Sequence, residues 1–180
     1  TGAQLSQVGN SDLKWETSVS TNFGVDLGLF NDKLYLGLEY YIIETEDLIT
    51  RDNSLISTTA IDASAPLVNL GSVENKGIDF SAGYHDETDS GWSYGIDVNI
   101  SSYKNEVTEL ISDFALGSTG FRGGAVTRTE VGQPISSFYG RVVDGFDDTG
   151  RFLYKDINED GIINDDDRTH IGSPHPDFTY

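Results

Sequence analysis

Cysteine is absent from the 180 residues, which excludes disulfides, Cys-ligated zinc, iron–sulfur clusters and thiol catalysis. Long apolar runs are missing too: nothing approaches the roughly 18 residues that a transmembrane helix needs. That leaves membrane strands open, because a barrel strand alternates and gives a much weaker hydropathy signal. Basic residues are few. Lys and Arg number 11 against 30 Asp and Glu, a formal net charge of −19. Such a surface repels nucleic acid and anionic headgroups, so neither is expected as a partner. It suits loops displayed to water or bound to divalent cations. The chain opens at Thr1 with neither a Met nor a signal peptide, so localisation has to be read from other features.

What is present is period-2 alternation, with hardly any helical periodicity. From Trp15 to Leu29 the odd positions (Val19, Phe23, Val25, Leu27) are mainly apolar, and the even ones (Ser20, Asn22, Gly24, Asp26) are polar or small. The Asn31-Asp32 step is a tight-turn signal. After it, Leu34, Leu36, Leu38, Tyr40 and Ile42 share one face. Ile78, Phe80, Ala82 and Tyr84 line a third run, and Trp92, Tyr94, Ile96, Val98 and Ile100 a fourth, beyond a short polar turn at 86–91. The pattern predicts an all-β, antiparallel meander: two hairpins joined by a longer connection from about Glu44 to Gly71. Residues 1–103 then carry four strands with that one long loop (about 44–71). Residues 104–174, rich in Gly, Asp, Ser and Thr, read as a long loop, and 175–180 open another strand at Phe178 and Tyr180.

A structureless stretch of that length argues against a compact soluble domain, whereas an outer-membrane barrel has short periplasmic turns and long extracellular loops. With the short turns placed in the periplasm, Phe30, Tyr84, Trp92 and Tyr94 gather near that end. Trp15, Tyr40, Tyr41 and Tyr103 gather toward the other, as two aromatic girdles would. An antiparallel sandwich with one buried face also alternates. Strand length favours the barrel: these runs approach the ~9–11 residues of a membrane strand, against ~5–6 in soluble sheets.

Specific residues extend the reading. Leu13-Lys14-Trp15-Glu16-Thr17, Phe30-Asn31-Asp32-Lys33-Leu34 running to Tyr40-Tyr41, and Thr45-Glu46-Asp47-Leu48-Ile49 follow in order. So do Asn69 to Gly77, Glu130 to Gly140 with its Gly-x-Pro and Phe-Tyr-Gly elements, Asp144-Gly145-Phe146, and Asp156 to Arg168. Ile171 to Pro174 and Pro176 to Tyr180 close the series. This succession resembles the late barrel of SusC/RagA-type TonB-dependent transporters over nearly the whole chain. The resemblance implies a fragment of a large transmembrane β-barrel in the bacterial outer membrane, its long loops extracellular. It implies an importer of glycans or other oligosaccharides, or of peptides, and not an enzyme. The partners it implies are the TonB complex and a SusD-like surface lipoprotein. No plug or TonB box is recognisable, so the chain is expected to be a piece of the barrel that cannot transport alone, since lipid does not tolerate open sheet edges. The rival reading is a soluble, calcium-stabilised β-sandwich serving as a surface module for glycan binding or adhesion.

One constellation carries metal chemistry. Along Asp156 to Asp167, oxygen donors recur at EF-hand spacing: Asp156, Asn158 and Asp160 at positions 1, 3 and 5, and Gly161 at the turn. Ile162 offers a carbonyl at position 7, Asn164 lies at 9 and Asp167 at 12. Hard oxygens at this spacing wrap one Ca²⁺, and Ile163 is placed to anchor the loop. The alternative is a solvated turn in which Asp and Asn cap their own backbone. His85, His170 and His175 are scattered and suit surface or turn roles. No nucleophile-elbow or oxyanion motif supports a Ser-His-Asp site. Gly120, Gly123 and Gly124 around Phe121 and Arg122 lack the Lys-Ser/Thr ending of a P-loop and read as a loop. Carboxylates are too many for a glycosidase pair to stand out. Phe138 and Tyr139 suit packing within the loop better than stacking on a sugar.

Overall fold

The computed structural model describes residues 9–51, 64–111 and 125–180. The glycine-rich stretch Gly120 to Gly124 lies outside them. Among the described residues the fold is all-β and antiparallel, with a single 3₁₀ turn at Asp165–Asp167. Four long strands form the main sheet: β1 (Thr17–Leu29), β2 (Leu34–Glu46), β5 (Gly71–Glu87) and β6 (Ser93–Leu110), in the order β1-β2-β5-β6. The expected hairpins are present. At the first turn Phe30, Asn31 and Asp32 all take left-handed φ, from 57° to 63°, a conformation that Asn and Asp tolerate better than most residues. The second closes through the amide of Thr88 on the Trp92 carbonyl, with Gly91 at φ +83°.

Two connections carry more structure than alternation discloses. Between β2 and β5 the chain kinks at Asp47 (φ 55°), where Leu48 exchanges backbone hydrogen bonds with Gly71 and Leu70. Beyond the kink, β3 (Ile49–Arg51) pairs with β4 (Leu67–Asn69), so the hairpin continues past its bend. Strand β6 also runs past Tyr103, to Leu110, because its ladder with β5 persists up to Gly71. Its last residues alternate poorly. Strand pairing, and burial of Val107, hold them instead.

Residues 125–172 hold a three-stranded sheet of β7 (Thr127–Arg128), β8 (Ser137–Arg141) and β11 (Arg168–Gly172), and a ladder of β9 (Val143–Phe146) with β10 (Phe152–Tyr154). Strands of two to five residues are too short to show a period. The region is tied to the wall at both ends. Val107 exchanges backbone hydrogen bonds with Gln133 and Gly132, and the Ile135 amide donates to the Asn105 side chain. At the other end Thr179 bridges Ser101 through two backbone bonds of 2.8 and 2.9 Å. Tyr180 therefore lies beside the free edge of β6.

Candidate functional site

The main sheet has two chemically opposite faces. On one, β1 sets Val19, Phe23, Val25, Leu27 and Leu29, with Leu34 to Ile42 on β2, Ile78 to Tyr84 on β5 and Tyr94 to Ile100 on β6. Phe23 is 67% exposed and Ile96 64%. A soluble sandwich would bury these side chains under a second sheet, and among the described residues none lies over them. On the other face, at the same depth, stand Asp26, Glu39, Asp79 and Asp97 among Asn22, Ser81, Asn99 and several glycines. Four carboxylates beside rows of Leu and Val need water on their side.

The outer edge of the apolar band is tilted across the strands. In register, Val19 lies opposite Glu44, Ile42 opposite Lys76, and Ile78 opposite Ser102. The last apolar residue thus steps from Val19 to Ile42, Ile78 and Ile100, two residues further along the ladder on each successive strand. A level boundary crossing strands perpendicular to it would give no step; strands inclined to a membrane plane give one of this kind. Charged side chains follow immediately outside: Glu44, Lys76 and Glu74, then Lys104 and Glu106.

Aromatic placement departs from the girdle read off the sequence. Tyr40 lies on the apolar face, but Tyr41 and Tyr103 face the other way, flanking Gly77 in register. A Cβ at Gly77 would collide with the Tyr41 ring, so this glycine makes room for the neighbouring phenol. Phe23, opposite Tyr40, and Phe178 supply the apolar-face aromatics at this level, while Trp15 precedes β1. Toward the short turns the Tyr84 and Tyr94 rings lie 6.2 Å apart. The polar face is packed in the same small-against-large manner. The Tyr35 hydroxyl donates to Asp26 at 2.7 Å, and His85 Nε2 lies 2.9 Å from Asp97.

The acidic loop sits in the region beyond the apolar band. Asp156 accepts from the amides of Asp160 and Gly161 (3.3 and 2.7 Å), Asn158 from Asp160 (3.2 Å), and Asp160 from Ile162 (2.7 Å). Asn164 caps the 3₁₀ turn through the Asp166 amide. Asp167 is fully buried. Its two oxygens accept from Asn164 and Ile157, each at 2.8 Å. These amide donors, Asn164 first and then Ile157, hold the Asp167 carboxyl below the usual carboxylate range. The six residues read from the sequence thus belong to one tight wrap, with Gly161 at φ +83°. Ile163 is not an anchor: it stays 43% exposed. Among the described residues no group of three or more His, Cys, Asp or Glu is arranged to hold a metal ion.

A constellation that the sequence reading did not assemble lies in the three-stranded sheet. Ser137, on β8, is 2.5 Å from His170 Nδ1 on β11, and His170 Nε2 is 2.6 Å from Glu130. Their separations along the chain, 33 and 40 residues, leave no local signal. Tyr139 packs against Arg128, Arg168 and His170, as expected of a loop-packing residue, whereas Phe138 is 45% exposed.

Comparison with known proteins decides what the wall belongs to. The model of the family described as TonB dependent receptor-like, beta-barrel, matches residues 1–167. The chain belongs to this family. TonB-dependent receptor P3 of Formosa agariphila is 32% identical over 200 residues, taking in 99% of this chain and 20% of that protein. TonB-dependent receptor SusC of Bacteroides thetaiotaomicron is 29% identical, over 93% of this chain and 18% of its own length. Among solved structures, the RagAB peptide transporter matches 96% of this chain and 19% of its own, with a TM-score of 0.76 and 27% identity. Its open-open state gives 0.71 and 28%. The chain spans about a fifth of the relatives it matches. As a TonB-dependent receptor segment it is part of an outer-membrane β-barrel and not an enzyme. Its apolar face is the one such a barrel turns to lipid, and its polar face the one turned to the lumen.

Proposed function

We propose that this segment forms late-barrel wall and extracellular loop structure in an active importer of the outer membrane, one that works with a SusD-like surface lipoprotein and the TonB complex. The observation that carries this is the two-faced wall: carboxylates and glycines toward a watery interior, an apolar band toward lipid, in a chain of this receptor family. The cargo class is a glycan oligomer or a peptide, the second in keeping with the RagAB peptide transporter among the neighbours. The loop region 125–172, fixed to the wall at both ends, is the part placed to meet the lipoprotein or the cargo outside the membrane. Affinity purification of the full-length receptor from native outer membranes tests the partnership. Recovery of a SusD-like lipoprotein supports it, and recovery of the receptor alone under mild detergent overturns it. Growth of a deletion strain on oligosaccharides and on peptides as sole nutrient then separates the two cargo classes.

A second reading concerns the acidic loop, because Asp156, Asn158 and Asp160 recur at EF-hand spacing and Gly161 makes the turn at φ +83°. Asp156, Asn158, Asp160, the Ile162 carbonyl, Asn164 and Asp167 would hold one Ca²⁺. The donor set is all oxygen and three of its members are carboxylates, the chemistry of a hard divalent cation. The ion would supply charge neutralisation and rigidity, with a Kd of roughly 10⁻⁴–10⁻³ M, as in extracellular modules. Calorimetric titration of the full-length receptor should show a site that D156A and D160A remove. A null titration at millimolar Ca²⁺ leaves the loop held by its backbone caps.

A further inference from the structure

The Ser137, His170 and Glu130 chain raises a question of protons. Ser137 is 1% exposed, and its Oγ lies 3.0 Å from the Arg128 carbonyl and 2.5 Å from His170 Nδ1. On the far side of the imidazole, Nε2 lies 2.6 Å from Glu130 Oε2, while Glu130 Oε1 pairs with the Arg128 guanidinium at 2.6 Å. The order serine, histidine, acid is that of a hydrolase, but a hydroxyl so buried cannot reach a substrate. The arrangement is structural.

Its protons can be counted. A carbonyl only accepts, so the single Ser137 proton goes to Arg128 and Ser137 must accept from Nδ1–H. A carboxylate only accepts, so Nε2 must also carry a proton. All four contacts are made together only when the imidazole holds both protons. A neutral imidazole forfeits one: either Ser137 turns its proton to Nδ1 and abandons the Arg128 carbonyl, or a bare Nε2 faces the carboxylate.

We propose that His170 is a protonation latch: as an imidazolium it clips β11 to β8 and to the end of β7, and losing a proton loosens that clip. The charged and titratable groups around it are Glu130 and Arg128 from the β7 side, Tyr139 on β8 and Arg168 on β11. The Tyr139 ring meets the imidazole edge-on at 5.3 Å, and both guanidiniums lie about 5 Å from that ring. Glu130 faces Nε2 through one carboxylate oxygen and holds the Arg128 guanidinium with the other. The latch has leverage because Gln133, between Glu130 and Ser137, is bonded to Val107 of the wall, and β11 leads directly to the Thr179 bridge. Its state sets how firmly the extramembrane sheet is held on the barrel.

The test is hydrogen exchange on the full-length receptor from about pH 5 to 8, the range in which histidines titrate, corrected for intrinsic rates. Amides of 138–141 and 168–172 should lose protection on the order of tenfold or more as pH rises. E130Q, whose amide can meet Nε2 with either its oxygen or its N–H, should flatten that loss. Nitrogen NMR of labelled histidine should show both ring nitrogens of His170 protonated on the low-pH side, its signal being the one that H170Q removes. A flat corrected profile in the wild type overturns the proposal even if the variants fail to fold. So does a His170 with one unprotonated nitrogen throughout, or a folded E130Q whose profile is as steep as that of the wild type.

Discussion

An arginine scan along β6 tests the assignment of its faces. Val98 and Asn99 are neighbours at nearly the same depth. Val98 lies on the apolar face opposite Ala82, and Asn99 on the polar face opposite Ser81. Ser102 shares the face of Val98 but lies four residues outward, just past the edge marked by Ile100. Four residues at ~3.4 Å each cover ~14 Å of strand, or about 10 Å of depth at a tilt near 40°. Val98→Arg, near the middle of the band, should cost about 2–4 kcal/mol, and Ser102→Arg about 0–1 kcal/mol. Asn99→Arg, facing water and close to Asp79 and Asp97, should stay within about 0.5 kcal/mol of wild type. The gap between the first and third variants is then at least about tenfold in the folding equilibrium, at ~1.4 kcal/mol per decade. The measurement is the urea midpoint of the full-length receptor in phospholipid vesicles, followed by heat-modifiable gel mobility. If Asn99→Arg proves as costly as Val98→Arg, the two faces do not differ as argued. If Ser102→Arg is as costly as Val98→Arg, the apolar face is covered by protein over its whole length, and the lipid assignment fails.

Other outcomes follow from the same geometry. Gly77→Ala should destabilise the barrel by about 1–3 kcal/mol, since its Cβ meets the Tyr41 ring; Tyr41→Ala should relieve most of that loss, as a double-mutant cycle in the same vesicle assay will show. The turn between β9 and β10 should loosen in acid. Donation from the Thr149 hydroxyl and the Arg151 amide lowers the Asp147 carboxyl below its ordinary 3.8, so its stabilisation is complete above that value and fades as pH falls through the lowered one. Exchange of the Gly150 and Arg151 amides should therefore accelerate below pH 3.8, and Asp147→Ala should make it fast at any pH. Arg141→Ala should free the 3₁₀ turn, because Arg141 donates to the Asn164 carbonyl at 2.8 Å and to Asp165 at 3.0 Å. Faster exchange of the Asp167 amide, with the β9–β10 ladder unchanged, is the expected signature.

The long strands, their hairpin turns and the opposed faces were legible in the sequence because each is encoded locally. Period 2 places Val25 and Asp26 on opposite sides whatever lies around them, and Asn31-Asp32 accepts left-handed φ wherever it occurs. The spacing of Asp156, Asn158, Asp160 and Gly161 was equally local, and the wrap they form closes on neighbouring amides. Only tertiary structure decided the rest. The polar end of β6 is strand because β5 pairs with it, not because of its own pattern, and the sheets of 125–172 are built from strands too short to carry a period. Tyr41 and Tyr103 take the polar face by that same period 2, but only the ladders set them on either side of Gly77. The tilt of the apolar band exists only once register is known, since Val19, Ile42, Ile78 and Ile100 are unrelated positions until four strands are aligned. Ser137, His170 and Glu130 form a proton chain only because two ladders bring β7, β8 and β11 together. Sequence settled what each residue would do beside its neighbours along the chain; pairing between distant strands settled which residues became neighbours.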